Sequence, residues 1–134
     1  MVFTERQLER YARVLIWGLW KAREHRYRKN DVVLIRYDRP AAPLAEVVQA
    51  RLLESGLHPV LRAGLTPRME VNFYKISRRT QLTFTPPGDR ELCERLNGSV
   101  YLYAPESLTH LADVDPRKIA KAVVARKPLR DILD

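Results

Sequence analysis

The chain has 134 residues, the size of one ordinary domain, and its 46% hydrophobic content can supply a single core. With 24 Lys+Arg against 16 Asp+Glu the formal net charge is +8, which suits an acidic partner or nucleic acid and by itself selects neither. No apolar run approaches the roughly 18 residues of a membrane span, the start lacks the basic and apolar regions of a signal peptide, and the lone Cys93 fits a reducing cytoplasm.

Taken in order, the first element opens on a complete helix start. Thr4 is an N-cap, Gln7 closes a capping box, and Phe3 with Leu8 stands at the positions of a hydrophobic staple. Leu8, Tyr11, Ala12, Leu15, Ile16 and Leu19 follow at helical spacing, broadened by Trp17 and Trp20. The helix is expected to fade into the basic stretch from Arg23 to Lys29, with Asn30 as a turn residue. The run Val32-Val33-Leu34-Ile35 then has no polar alternation. A strand apolar on both sides needs cover on both faces, as in a parallel sheet flanked by helices.

Pro43 suits the first turn of a second helix, with a stripe of Leu44, Val48 and Leu52, and Gly56 suits its C-terminal cap. Strand two is expected at 60–63, at a sheet edge because Pro59 lacks a ladder donor. Thr66-Pro67 opens a third helix, with Met69, Phe73 and Ile76 on its buried side and Arg78-Arg79-Thr80 at its end. Leu82 and Phe84 alternate with polar neighbours and predict a short extended piece. Asp89 caps a helix through Leu92, Cys93 and Leu96, closed by Asn97-Gly98. Strand three is expected at 99–104, and Glu106 to Leu111 as a helical turn or two. Asp115-Pro116 starts a last helix on Ile119, Ala120, Val123 and Val124, interrupted by Pro128. The expected fold is a three-layer, Rossmann-like α/β domain spanning 1–134, with a mainly parallel sheet whose core strands 32–37, 60–63 and 99–104 take the order 2-1-3.

The search for chemistry returns little. His25, His58 and His110 are scattered, Cys93 stands alone, and neither a His-x-x-x-His nor a Cys-x-x-Cys spacing occurs. Asp38-Arg39-Pro40-Ala41-Ala42-Pro43 stands where a phosphate-binding glycine loop would follow strand one. No catalytic, cofactor-binding or metal-binding residue is assigned. Two basic clusters remain: Arg23, Arg26, Arg28 and Lys29 around Tyr27, and Arg117, Lys118, Lys121, Arg126 and Lys127. They could bind phosphates, with Tyr27 stacking on a base, but no recognised RNA- or DNA-binding signature accompanies them, and the favoured reading is a solvated surface with charge pairing to an absent domain. The tail Leu129, Ile132 and Leu133 is apolar where a terminus is usually polar. Together with Trp17 and Trp20 it forms the set of interface candidates.

The ordered set of segments resembles the N-terminal part of the thermophilic metallo-aminopeptidase, or aminopeptidase T, family. It comprises Phe3 to Ala12, Asp31 to Asp38 followed by Ala42 to Glu46, Gly56 to Val60, Pro105-Glu106-Ser107 and Asp115 to Lys118. The resemblance implies an α/β domain that precedes a catalytic domain absent from this chain. That absent domain would hold two divalent metal ions of the zinc or cobalt type, form a homodimer and act on peptides. It also implies that this chain alone is inactive, a non-catalytic domain shaping access to the active site. The alternative is a stand-alone basic module for nucleic acid or an acidic protein.

Overall fold

A computed structural model describes residues 4–22, 26–104 and 109–133, with the side chains at 130–133 outside the description. The described chain divides into two compact units, Met1–Gly64 with Leu96–Ala104, and Leu65–Arg95 with Pro105–Asp134.

The first unit begins with helix α1 (Glu5–Lys21). Its capping box forms as the sequence indicates: Gln7 N–H donates to Thr4 Oγ1 at 3.2 Å, and Thr4 N–H donates to Gln7 Oε1 at 2.9 Å. The staple residue Phe3 lies outside the described residues. Strand β1 (Val32–Tyr37) follows, then a short 3-10 turn (Arg39–Ala41), helix α2 (Ala42–Glu54) and strand β2 (His58–Ala63). Strand β3 (Gly98–Leu102) completes an all-parallel sheet of order β2-β1-β3, the order expected from the sequence. Val33 and Ile35 point to one face, where they join Ala12 of α1 and Ala45, Val48 and Leu52 of α2 in one cluster. Leu34 points the other way and is buried as well. The unalternated run is therefore satisfied on both faces.

The boundaries shift in instructive ways. Strand β2 begins two residues before the expected 60. His58 N–H donates to Asp31 O at 2.8 Å, so the next position faces away from β1, where the missing donor of Pro59 costs no ladder bond. Strand β3 spans 98–102, not 99–104. Asn97 sets its start by accepting from Val32 N–H through Oδ1 (2.8 Å) and donating its own N–H to Val32 O (2.8 Å). Gly56 adopts φ +80° and closes α2 with paired bonds, Leu57 N–H to Leu52 O and Gly56 N–H to Leu53 O.

The second unit is helical: α3 (Pro67–Ile76), α4 (Arg79–Leu82), α5 (Asp89–Arg95) and α6 (Pro116–Leu133). Thr66 caps α3 as expected, accepting from Met69 N–H at 3.2 Å. The buried side of α3 is corrected. Tyr74 is its buried residue and Phe73 is half-buried, whereas Met69 and Ile76 are 53% and 74% exposed. The expected extended piece at 82–84 is also corrected. Arg79 to Leu82 form a helical turn whose Leu82 joins Tyr74, Val114 and Ala122 in the core of this unit, while Phe84 is exposed. The helix before it ends at Ile76, so Arg79-Thr80 starts the next element. Pro128 does not stop α6, which runs on to Leu133. An interior proline deletes one helical hydrogen bond, here at the carbonyl of Val124, an exposed residue where water can replace it. Of the helical turn expected from Glu106 to Leu111, residues 105–108 lie outside the description, and 109–114 form turns.

Candidate functional site

Two faces of the first unit gather groups with chemistry. The larger is organised by α1. Its capping box fixes where the helix starts and therefore which side chains turn inward. Ala12, Leu15, Ile16 and Leu19 pack toward the sheet, which leaves Trp17 61% and Trp20 36% exposed. Lys21 Nζ lies 5.9 Å from the Trp17 ring centroid, and Trp20 meets the Tyr27 ring at 4.8 Å with an interplanar angle of 52°.

A cleft of about 390 Å³ runs between α1 and the end of α2, lined by Ile16, Trp17 and Trp20 with Arg13, Arg51 and Glu54. Arg51 is engaged there by Glu9 (Nε–Oε2 2.9 Å) and Glu54 (3.0 Å), and those bonds raise its pKa from the ordinary arginine value. A neighbouring cleft of about 360 Å³ shares Trp20 and Ser55 with the first and is lined by Tyr27 and by Lys21, Arg26, Arg28 and Lys29. Tyr27 is half-buried, and its hydroxyl is seated on Gly98, where a Cβ would overlap it. The turn behind it is held by Asn30 at φ +71°, by Asn30 N–H donating to Gly56 O (2.8 Å) and by Arg28 N–H donating to Asp31 Oδ2 (2.8 Å). Of the first basic cluster, Arg23 lies outside the described residues.

The second face is the C-terminal rim of the sheet, where ligands of open α/β sheets bind. Asp38 follows β1 and closes the rim: its carboxylate accepts from Tyr101 Oη (3.0 Å) and Ala104 N–H (2.7 Å), and its own N–H donates to Leu102 O (3.1 Å). Arg36 stacks over the Tyr101 ring at 5.1 Å, and Tyr103 meets that ring edge-on at 5.8 Å. Burial first, then the Asp38 hydrogen bond, raise the Tyr101 pKa. Gly64 approaches so closely that a Cβ would lie 2.8 Å from Asp38 Oδ1. In the sequence Asp38 heads the segment that stands where a phosphate-binding glycine loop would follow strand one, with no role of its own assigned. Its link to Tyr101 spans 63 positions and has no local signature.

The remaining candidates disperse. His58 Nε2 lies 3.1 Å from Asn30 Oδ1 in the first unit. In the second, His110 Nε2 lies 3.3 Å from Glu70 Oε1, within ion-pair reach when protonated, although neither ring nitrogen has hydrogen-bond geometry. His25 lies outside the described residues, and Cys93 is half-buried in α5. Among the described residues no three His, Cys, Asp or Glu side chains converge as metal ligands. No described helix is long and apolar enough to cross a membrane. Much of the second basic cluster has work within its own unit: Lys118 Nζ donates to the carbonyls of Lys75 and Ser77 (3.2 Å each), Arg117 pairs with Asp115 (3.2 Å), and Arg126 stacks over Phe73 (5.7 Å). Leu129 is half-buried on α6, and the side chains of Ile132 and Leu133 lie outside the description.

Known proteins resemble this arrangement. A solved structure of wild-type AmpT from Thermus thermophilus shares the fold, with a TM-score of 0.67 at 12% sequence identity over 96% of this chain. The match spans 32% of the AmpT chain, so the present sequence covers about a third of that length. No curated protein matches the sequence. The family model described as thermophilic metalloprotease (M29) matches residues 4–134, essentially the whole chain, and the chain therefore belongs to that family as an aminopeptidase T family domain.

Proposed function

We propose that this chain acts as the non-catalytic N-terminal domain of a metal-dependent aminopeptidase, shaping access to an active site carried by the rest of a longer protein. The observation that carries the reading is the family match over residues 4–134 within a length that spans only a third of AmpT. On this reading residues 1–134 are one functional domain, whatever its internal division. The partner is the catalytic domain of the same protein, which would supply two divalent ions of the zinc or cobalt type. The complete enzyme would be a cytoplasmic homodimer that removes N-terminal residues from peptides. Trp17, Trp20, Leu129, Ile132 and Leu133 are the proposed contacts to that domain.

Two measurements test the reading. Calorimetry of the 134-residue chain with zinc or cobalt, followed by a leucine-anilide assay, is expected to show neither tight metal binding nor turnover. Stoichiometric binding together with hydrolysis would make the chain itself a catalyst. A reading frame that stops at Asp134, with no region rich in Glu, His and Asp beyond it, would remove the proposed catalytic partner.

A further inference from the structure

We infer that Trp17 and Trp20, together with Lys21, Arg26, Arg28 and Lys29, form a docking site for an acidic polypeptide segment that carries an apolar anchor side chain. The site lies within the first unit, and the inference rests on the proposed function in that Trp17 and Trp20 are contacts to the catalytic domain there: it names the chemistry of the segment that domain would present. Its two adjoining clefts differ in chemistry. The first has an apolar wall of Ile16, Trp17 and Trp20, and of its two cations, Arg13 and Arg51, the second is engaged by Glu9 and Glu54. The second is lined by four cations, and no carboxylate is among the described residues that line it. Trp20 stands in the wall of both. An apolar side chain inserted in the first cleft would therefore hold flanking carboxylates against the cations of the second.

The residue types agree with such a role. Tryptophan and arginine are enriched where interface energy concentrates, and oppositely charged rims steer encounter. A chain with net charge +8 attracts acidic partners at long range. Single-stranded nucleic acid is the competing occupant, and it needs open ring faces on which bases stack. Here each indole already has a neighbour, Tyr27 against Trp20 and Lys21 over Trp17, while the Tyr27 hydroxyl is seated at Gly98. The apolar wall beside a row of cations fits a polypeptide that carries both an apolar side chain and carboxylates.

The test uses the 134-residue chain and a fluorescein-labelled peptide, Glu-Glu-Leu-Phe-Glu-Glu, followed by anisotropy at about 0.15 M salt, where charge steering is already partly screened. Saturable binding is expected. Trp17→Ala, at an exposed position that should leave folding intact, is expected to weaken it about tenfold or more, as is the pair Lys21→Glu with Arg28→Glu. Replacing the central Leu-Phe by Gly-Gly should cost a similar factor. Far-ultraviolet dichroism verifies that each variant is folded. Absence of saturable peptide binding, unchanged affinity in both variants, or tighter binding of a single-stranded oligouridylate would each overturn the proposal, the last in favour of nucleic acid.

Discussion

The two units build their cores by different rules. In the first, Val33 and Ile35 of the central strand are completely enclosed, together with Ala12 and Leu52 from the helices above them. In the second, buried residues are contributed singly, Tyr74 by α3, Leu82 by α4, Val114 by the turn before α6 and Ala122 by α6, and Met69, Ile76 and Phe84 are left in solvent. A parallel strand covered on both faces requires consecutive apolar residues, and that requirement is visible in the chain. A helix of one to three turns can satisfy its partners with a single side chain, so its other apolar residues carry little information about which way it faces. Polar contacts support the second unit as well, above all Lys118 reaching the carbonyls of Lys75 within the last turn of α3 and of Ser77 just beyond it.

The contrast can be broken most directly in the two cores. Ile35→Ala is expected to lower stability by about 3–5 kcal/mol and Leu82→Ala by about 2 kcal/mol, in urea denaturation followed by dichroism, because the enclosed site can relax less around the void. In hydrogen exchange, Ile35→Ala should accelerate the amides of β1 most. Equal losses for the two substitutions would mean that the cores are equivalent.

Gly98→Ala is expected to cost about 1–3 kcal/mol, since its methyl group would occupy the place of the Tyr27 hydroxyl and lie 2.9 Å from the ring Cζ. In a Tyr27→Phe background the same change should cost measurably less. A cost that does not depend on the hydroxyl would refute the close approach as its cause. Lys118→Met keeps the length of the side chain and deletes its two carbonyl contacts. A loss of about 1 kcal/mol is expected, seen in the same denaturation curves. No loss would show that polar ties do not support the second unit.

The smallest effect is a pH dependence in the first unit. The folded Tyr101 has a raised pKa, so its contribution is complete below the unfolded tyrosine value of about 10 and is lost as the pH rises through the higher folded value. Stability should therefore decline more steeply above pH of about 10 in the wild type than in Tyr101→Phe. Parallel profiles would deny the Asp38–Tyr101 bond any part in that decline.

What the sequence by itself determined is the local and periodic part of this protein. The Thr4–Gln7 box, the Gly56 and Thr66 caps, the both-sides-apolar strand and the order 2-1-3 follow from neighbouring residues or from the need to cover two faces of one strand. The outward position of Trp17 was raised in the sequence only as an interface candidate, because helical spacing does not say how wide a stripe the sheet will cover. The tertiary structure alone decided what depends on distant partners. Asp38 meets Tyr101 and Ala104 across the rim, Tyr27 rests on Gly98, Lys118 caps a helix end from another element, and Leu82 turns inward from a single helical turn. Each of these contacts joins residues that are neighbours only after the chain has closed, and no periodicity along the chain encodes them.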